Sequence, residues 1–406
     1  MTSIEPSYAR AGLVVRWAVL AFALFLIGTN SFIIAGVLPE IAHDLRTPTT
    51  DIGYTITVYS ILVAVLSPAI AVLLPRLSRT TLMVAGLAAF GVGVLVAALA
   101  PDFEIFTAGR IIASIGGAAV VPTATAAGAA ITPPERRGQA IAVVGIGFTV
   151  ASAVGAPLGT AIASISSWRV SMLGVAGLTV LVGIALAFVV RRVPVGQPIP
   201  LARRFAVLRD GRVVLPLFAT LTIAAGFNLV FIFSSAVTGQ TGVTLAVLLF
   251  IYGVFGIVGN TFAGPLTDRF GSRIVGIATM VFAILALSAI AIIGHDVIGL
   301  AIAFVFWGVS TFASTVPVQH RLLAVDPRTA SVAISWYSTA LYAGIAIAPL
   351  VGAVALSTGE ARLLPVGGAV VTAIGLAAFV VGYLLRRNRP QTAAQETLAV
   401  ETAERS

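Results

Sequence analysis

Twelve apolar stretches make up most of this chain, and each is long enough to cross a lipid bilayer. A bilayer core of about 30 Å requires about 20 apolar residues of α-helix, whereas the strands of a membrane barrel alternate over about ten residues. Hydrophobic residues form 59% of the chain and charged residues 10%, a balance typical of membrane proteins. The sequence therefore predicts an all-α polytopic membrane protein. The predicted spans are 14–38, 52–74, 81–100, 105–131, 139–163, 170–190, 213–237, 243–263, 274–294, 297–319, 331–356 and 363–385.

The distribution of Arg predicts the orientation of the chain. The chain has no Lys, so its 24 basic residues are all Arg. A cytoplasmic N-terminus puts every Arg on the cytoplasmic side except Arg46, Arg169 and Arg362, which lie outside, and Arg110, which lies within a span. Short cytoplasmic loops collect basic residues, so both termini are predicted to be cytoplasmic. This placement accounts for the net charge of +9 without nucleic-acid binding, because the Arg residues flank apolar helices and form no single stripe.

The longest hydrophilic connection, 191–212, separates six spans from six. Landmarks recur in the two halves at an offset of about 190 to 198 residues, which indicates an internal repeat. Gly28-Thr29-Asn30 recurs as Gly226-Phe227-Asn228, and Ala156-Pro157-Leu158 recurs as Ala348-Pro349-Leu350. Six-helix repeats of equal orientation are typical of proteins that rock two halves about a midplane site. The predicted organisation is a cytoplasmic tail at 1–12, a half at 13–190, a cytoplasmic linker at 191–212, a half at 213–385 and a cytoplasmic tail at 386–406.

Three motifs carry a family resemblance. The fifth stretch contains Gly155-Ala156-Pro157-Leu158-Gly159, the connection after the eighth runs from Gly264 to Arg273, and the fourth has Gly109-Arg110 followed by Gly116-Gly117. On these motifs the chain resembles the major facilitator superfamily, within it the twelve-helix drug/proton antiporter group that includes arabinose, purine-nucleoside and chloramphenicol exporters. The resemblance covers residues 14 to 385. It implies twelve transmembrane helices in two pseudo-symmetric six-helix halves, in a bacterial cytoplasmic (inner) membrane.

The resemblance also implies gating residues. They are Gly155, Pro157 and Gly159 in the fifth stretch, and Gly264, Asp268, Arg269, Gly271 and Arg273 after the eighth. Gly permits close helix contact, and Pro leaves one backbone carbonyl without its intrahelical partner. A carboxylate against a helix N-terminus, with Arg residues binding carbonyls or acids, would lock an inner gate. Ordinary small-residue packing and a solvated turn are the respective alternatives. The first copy of the second motif, Pro75 to Arg79, has no acid.

Arg110 is the only ionisable residue well inside a span. An Arg at this depth costs about 2.5 to 3.5 kcal/mol even on lenient insertion scales, which indicates a function unless the side chain snorkels to the surface. The resemblance implies an acid in the first span, where this chain has Ser31. The proton-coupling candidates are therefore Asp51 or Glu104 acting near Arg110, with plain helix capping as the alternative for Asp51.

A cavity that contains Arg110 and no carboxylate disfavours cations, because a desolvated like charge is repelled. The predicted cargo is a neutral or anionic small molecule such as a sugar, a nucleoside or a phenicol-like drug. Asn30 and Asn228 occupy matching places in the halves and either line the cavity or tie helix to helix. Trp307 fits ligand contact or packing. The candidate lining residues are Asn30, Ser31, Tyr59, Arg110, Asn228, Trp307, Tyr337 and Tyr342.

These features together predict a secondary active transporter that performs proton-coupled efflux by alternating access. Its expected partners are the small-molecule substrate, protons and the lipid bilayer, and it is expected to be a monomer. A proton-independent facilitator or exchanger, and a non-transporting solute sensor, are the alternatives. The chain has no Cys, and its three His lie near span ends in separate connections. No enzyme motif, metal site or cofactor site is therefore expected.

Overall fold

The computed structural model describes residues 7–74, 77–133, 136–191, 193, 201–325 and 330–384. Within these ranges all regular secondary structure is helical. Twelve helices of this part of the chain are long and apolar enough to cross a membrane, which confirms the predicted spans. The spanning helices are α1 (Ser7–Gly36), α2 (Thr49–Leu73), α3 (Arg79–Ala98), α4 (Phe103–Ala130), α5 (Arg137–Val150 and Ala156–Ile165), α6 (Trp168–Val189), α7 (Gly211–Ile232), α8 (Gly242–Phe270), α9 (Ser272–Ile293), α10 (Val297–Ala313 and Thr315–Val325), α11 (Ala330–Ser357) and α12 (Leu363–Leu384).

Short helices follow or precede some spans. They are Leu38–Asp44 after α1, Leu201–Ala206 with the 3₁₀ turn Val207–Arg209 before α7, and Ser234–Thr238 after α7. Several predicted features lie outside the described residues: positions 1–6 of the N-terminal tail, Pro75 with Arg76, positions 192 and 194–200 of the linker, and the C-terminal tail from 385. The side on which α1 ends and α2 begins is called the outer face below, because the Arg distribution predicts it to face away from the cytoplasm.

Side-chain caps fix where several helices begin. The Ser78 hydroxyl accepts a hydrogen bond from the Thr81 amide at 3.0 Å before α3, and the Asp102 carboxylate accepts one from the Ile105 amide at 2.8 Å before α4. Such caps satisfy amides that have no partner within the helix. Polar residues at the ends of these connections thus fix where the helices begin.

Glycine faces hold helices together within each half. A Cβ on Gly109 of α4 would lie 2.5 Å from the Ala97 amide nitrogen of α3, and a Cβ on Gly116 would meet the Gly86 carbonyl oxygen. In the second half a Cβ on Gly226 of α7 would lie 2.6 Å from the Gly368 carbonyl oxygen of α12. Helices inside a membrane gain little from burying apolar surface, so close backbone approach at small residues supplies much of their attraction.

α5 contains a π-helical turn, Ala151–Gly155, directly before Pro157. Proline lacks an N–H and its ring clashes with the preceding turn of a regular helix, and the wider π turn accommodates it. The matching Pro349 lies inside a continuous α-helix, α11. The π turn packs on both halves. A Cβ on Gly155 would be 2.6 Å from the Thr29 hydroxyl of α1 in the same half, and Gly253 of α8 in the other half packs on Ala153.

The two halves meet along α5 with α8 and along α2 with α11. The Thr57 hydroxyl of α2 donates to the Ala346 carbonyl oxygen of α11 at 2.8 Å. Toward the outer face, the rings of Phe32 on α1 and Phe231 on α7 meet edge to face with centroids 5.3 Å apart. These contacts enclose a site between the halves on its outer side.

Candidate functional site

A cavity of about 440 Å³, counted with its open side, lies between the two halves. Its polar lining consists of Ser31, Tyr59, Ser60, Arg110, Asn228 and Tyr342. Its apolar lining consists of Phe32, Ala35, Ile56, Phe148, Phe231, Ile232 and Ile345. A small-molecule site is typically a mostly apolar cleft with a few converging polar groups. No acidic residue is among these lining residues.

The cavity lies within the membrane region, nearer the outer face. At about 1.5 Å per residue, Arg110 lies roughly 10 Å along α4 from Phe103, and Tyr59 roughly 15 Å along α2 from Thr49. Both helices start at the outer face, and each has more than ten further residues beyond the site. A solute in the cavity therefore has helical turns on both sides of it.

Arg110 is 1% exposed and lies over the ring of Tyr59, with its Cζ atom 4.4 Å from the ring centroid. The side chain does not snorkel to the surface. Its Nε, Nη1 and Nη2 atoms have no hydrogen-bond partner among the described residues. A desolvated cation–π contact contributes about 2 kcal/mol, which offsets only part of the roughly 3 kcal/mol needed to place Arg in a membrane. The guanidinium thus keeps its N–H groups and its charge available to a ligand.

Gly117 makes room for Tyr59. A Cβ at Gly117 would lie 2.6 Å from the Tyr59 hydroxyl oxygen, whereas the neighbouring Gly116 serves the contact of α4 with α3. Two adjacent glycines therefore have different tasks, one in packing and one in positioning the ring beneath Arg110. The sequence marks both glycines, but it does not indicate that Tyr59 of another helix is the partner of Gly117.

The two matching asparagines do not occupy equivalent places. Asn228 lines the cavity, and its Nδ2 donates to the Ala224 carbonyl oxygen at 2.8 Å. Asn30 is 1% exposed, is absent from the lining, and neither amide atom has a partner among the described residues. Ser31 lines the cavity instead. One residue corresponds to a rotation of about 100° around a helix, so α1 presents a different face from the one that the repeat predicts.

Of the other predicted lining residues, Tyr342 faces the cavity, whereas Trp307 and Tyr337 are buried in the second half and do not line it. The Trp307 ring lies 4.3 Å from the ring of Tyr252 and 5.1 Å from that of Phe304. Trp307 thus packs within the second half, which is the alternative to ligand contact. Among lining residues that the sequence did not predict are Ser60, Phe148 and Phe231. The signal for Phe148 was a bulky ring within a stretch of small residues, whereas Phe231 lies among other bulky apolar residues and had no such signal.

The two outer acids predicted to exchange protons lie apart from Arg110. Asp51 accepts a hydrogen bond from the Thr47 hydroxyl at 3.0 Å in the first turn of α2. Glu104 is exposed in the first turn of α4. Neither lines the cavity. The structure thus does not bring these acids together with the guanidinium.

Two other outer acids lie on the short helix after α1. Half-burial raises the pKa of Glu40 above its usual value of 4.5, and its Oε2 atom is buried without a hydrogen-bond partner among the described residues. Burial alone would also raise the pKa of Asp44. Hydrogen bonds from Trp168 at 2.9 Å and Arg169 at 2.7 Å, together with the Arg169 charge, outweigh that effect and hold the pKa below 3.8.

The glycines of the α5 motif face α1. Gly155 packs against Thr29 and Gly159 against Ile33, and a side chain at either position would collide with α1. Pro157 follows the π turn and is buried. The structure therefore places Gly155 and Gly159 at the contact of α1 with α5, and Pro157 is buried between them in the chain.

The second motif is more helical than the sequence reading expected. Gly264, Asp268 and Arg269 belong to the last turns of α8 rather than to a loop. Gly271 connects α8 to α9 with a φ of +82°, a conformation that favours glycine. Asp268 and Arg273 are exposed, and among the described residues Asp268 forms no ion pair.

The first copy behaves differently. Arg79 donates from Nη1 to the Ala126 carbonyl oxygen of α4 at 2.7 Å, which ties the start of α3 to the inner part of α4. The two copies thus differ in their contacts: Arg79 of the copy without an acid binds a carbonyl oxygen, whereas Asp268, Arg269 and Arg273 of the copy with an acid are exposed.

Comparison with known proteins places this architecture in context. The family model described as Major Facilitator Superfamily matches residues 20–349. The inner membrane transport protein YdhP of Escherichia coli (strain K12) is 29% identical over 379 residues, which cover 92% of this chain and 96% of the relative. A chloramphenicol resistance protein of Streptomyces lividans is 28% identical over 374 residues, which cover 89% and 94%.

Solved structures share the fold. A bacterial homolog of the human lysosomal transporter Spinster, in an inward-facing and unoccupied conformation, matches with a TM-score of 0.72 at 16% identity over 93% of this chain and 97% of that one. A mutant of the nucleoside transporter NupG matches with a TM-score of 0.74 at 13% identity over 91% and 100%.

Proposed function

This chain belongs to the major facilitator superfamily, and on that premise we propose that it exports a small neutral or anionic solute by alternating access. Membership makes it a membrane transporter rather than an enzyme, as the motifs predicted. The observation that carries the choice of cargo is Arg110, a buried guanidinium without an acidic neighbour in the cavity lining.

The charge of the cavity selects against cations. Two like charges about 4 Å apart repel each other by about 4 kcal/mol at an effective dielectric constant of 20, and no lining carboxylate offsets that repulsion. Neutral solutes with carbonyl or hydroxyl oxygens, and anions, can accept hydrogen bonds from the guanidinium. A sugar, a nucleoside or a phenicol-like drug fits this description. Outward transport is supported by the relative that is named a chloramphenicol resistance protein.

Alternating access requires that the two halves rock about the cavity. The interfaces of α5 with α8 and of α2 with α11 run along both sides of the site and are suited to act as hinges. Both halves contribute lining residues, so one chain suffices and we propose a monomer. The Arg distribution supports a cytoplasmic location of both termini. The relative YdhP is named an inner membrane transport protein, which supports a bacterial inner membrane for this chain.

Proton coupling is a second, separable part of the proposal. The α5 motif favours it, as does Glu40, whose raised pKa brings its titration closer to neutral pH than that of an ordinary carboxyl group. Glu40 joins Asp51 and Glu104 as a candidate at the outer rim. An imposed pH gradient across proteoliposomes tests this part: faster export into an acidic exterior supports it, and an unchanged rate at constant membrane potential contradicts it.

The transport proposal is tested by counterflow in proteoliposomes with a panel of neutral, anionic and cationic solutes. We expect saturable counterflow of at least one neutral or anionic member and none of the cations. Arg110→Gln should reduce it by tenfold or more, since hydrogen bonds to charged groups contribute about 1.5 to 3 kcal/mol. Arg362→Gln, at an exposed outer position, is the matched control. Counterflow restricted to cations would overturn the proposal.

A further inference from the structure

The guanidinium of Arg110 has hydrogen-bond donors that lack a partner among the described residues. It carries five N–H donors, and none of its three nitrogens has a partner among the described residues. Its contact with Tyr59 is with the aromatic ring and involves no acceptor atom. Buried donors are nearly always satisfied in working proteins, so these donors require acceptors, which a bound cargo can supply. A planar group with two oxygens matches a guanidinium best.

The positive charge is also unbalanced within the site. Facing Arg110 from the packed elements are Tyr59 of α2 and the lining groups of α1, α7 and α11, none of which is an acid. Glu104 on α4 itself lies six residues away and is exposed, and Asp51 of α2 lies near the outer end of that helix. A neutral oxygen would satisfy the donors but would leave the charge unpaired. An anionic group satisfies both.

The apolar part of the lining consists largely of aromatic and branched side chains. The ring of Phe32 lies 5.6 Å from that of Phe148 and 5.3 Å from that of Phe231, and it meets both at steep angles. Ile56, Ile232 and Ile345 complete this surface. Four polar residues line the cavity besides Tyr59 and Arg110, and two of them, Ser31 and Asn228, already donate hydrogen bonds to carbonyl oxygens of their own helices. The aromatic and branched wall therefore favours an aromatic body over a polyol.

We infer that the cargo is an aromatic organic monoanion, whose acid group pairs with Arg110 and whose ring lies among Phe32, Phe148 and Phe231. This inference rests on the proposed function and narrows it. An anionic cargo also determines the net charge that each transport cycle moves across the membrane. The loaded site is neutral and the unloaded site carries one positive charge, so each export cycle carries one negative charge outward. Export is then driven by an inside-negative potential, with an equilibrium ratio of roughly 50-fold per 100 mV.

The experiment uses the purified full chain in proteoliposomes loaded with 2-naphthalenesulfonate, an anion at all accessible pH values that does not cross lipid as a neutral acid. The neutral 2-naphthalenesulfonamide is the matched probe. Potassium gradients with valinomycin set the potential at equal pH on both sides. We expect sulfonate efflux to accelerate at least fivefold when the inside is made negative by 100 mV and to slow when the potential is reversed. The sulfonamide should be transported at least tenfold more slowly.

A binding titration in detergent keeps the inference testable if transport by a variant fails. Wild-type protein should bind the sulfonate at least tenfold more tightly than the sulfonamide, and Arg110→Gln should abolish that preference while Arg362→Gln retains it. Equal binding of the two probes, or efflux independent of the potential, would overturn the anion inference and leave a transporter of neutral solutes. A protein that transports neither probe and no member of the wider panel would overturn the proposed function itself.

Discussion

The two halves of the molecule share an architecture but supply the cavity with different chemistry. The first half contributes the guanidinium of Arg110, the phenol of Tyr59 and two serine hydroxyls. The second half contributes the amide of Asn228 and the phenol of Tyr342. Both halves add to the apolar wall, the first through Phe32, Ala35, Ile56 and Phe148 and the second through Phe231, Ile232 and Ile345. The repeat therefore preserves helix packing and not the binding groups. A cargo with a polar head and an apolar body would bind its head mainly to the first half and its body to both halves.

The largest expected effect concerns the shared scaffold. Gly147 of α5 packs against the Ala21 carbonyl of α1, and Gly344 of α11 packs in the same way against the Leu221 carbonyl of α7. Gly147→Val and Gly344→Val should each destabilise the protein by about 3 kcal/mol or more, because the backbone has no room to yield. Gly145→Val is the control, since nothing lies within 4 Å of its Cβ position. Thermal unfolding in detergent measures all three, and an intact Tm in either packing variant would contradict the equivalence of the halves.

The next effect concerns the contact of Tyr59 with Arg110 in the first half. The new Cβ of Gly117→Ala would lie 2.6 Å from the Tyr59 hydroxyl oxygen. It would therefore displace the hydroxyl and disturb the ring beneath Arg110. We expect cargo affinity to fall about 3- to 30-fold, the range of a cation–π contact. Gly145→Ala should bind cargo normally. An unchanged affinity in Gly117→Ala, with Tm also unchanged, would show that the Tyr59 contact does not position the guanidinium.

A smaller effect separates the two matching asparagines. Asn228→Leu should weaken cargo binding about 2- to 10-fold, the contribution of a neutral hydrogen bond, because Asn228 lines the cavity. Asn30→Leu should leave binding intact and raise Tm, since it replaces a buried amide that has no described partner with an apolar group of similar size. Titration with cargo measures the affinity of both variants, and thermal unfolding measures their Tm. Equal loss of binding in both would restore the symmetric site that the repeat predicts.

The smallest effects concern two acids of one short helix at the outer rim. The pKa of Glu40 is raised in the folded state, so its contribution to stability falls as pH rises past about 4.5, and Glu40→Gln should raise Tm at pH 7 but not at pH 4. The pKa of Asp44 is lowered, so its stabilisation is present above pH 3.8 and is lost below it. Asp44→Asn should lower Tm at pH 7 by about 1 °C. A lower Tm of Glu40→Gln at pH 7, or a higher Tm of Asp44→Asn, would contradict these two pKa shifts.

The spans were predictable because their signal is local. Each is a run of apolar residues bounded by Arg, a capping residue or a turn, so helix ends such as Thr49 and Leu363 lie within about three residues of their predicted places. The π turn before Pro157 was not predictable. Pro349 has the same local sequence in a regular helix, and the difference arises from packing of the turn between Thr29 and Gly253.

The site was predictable in part. Polarity and repeat position predict Arg110, Tyr59, Ser31, Asn228 and Tyr342 as lining residues, and the cavity contains them. They also predict Asn30, Trp307 and Tyr337, which do not line it, because polarity does not indicate which face of a helix points inward when both faces are apolar. Gly117 needed knowledge of a contact between two helices that are distant in sequence.

The most direct test of the central claim is the charge preference of Asn228→Asp, compared with wild type and Asn228→Leu. This substitution places a carboxylate in the lining that Asn228 shares with Arg110. Counterflow in proteoliposomes measures the ratio of anion to cation transport. We expect at least a tenfold fall of this ratio in Asn228→Asp relative to Asn228→Leu, because the added carboxylate neutralises the guanidinium. An unchanged ratio, or wild-type transport of cations, would contradict a cavity governed by the unpaired charge of Arg110.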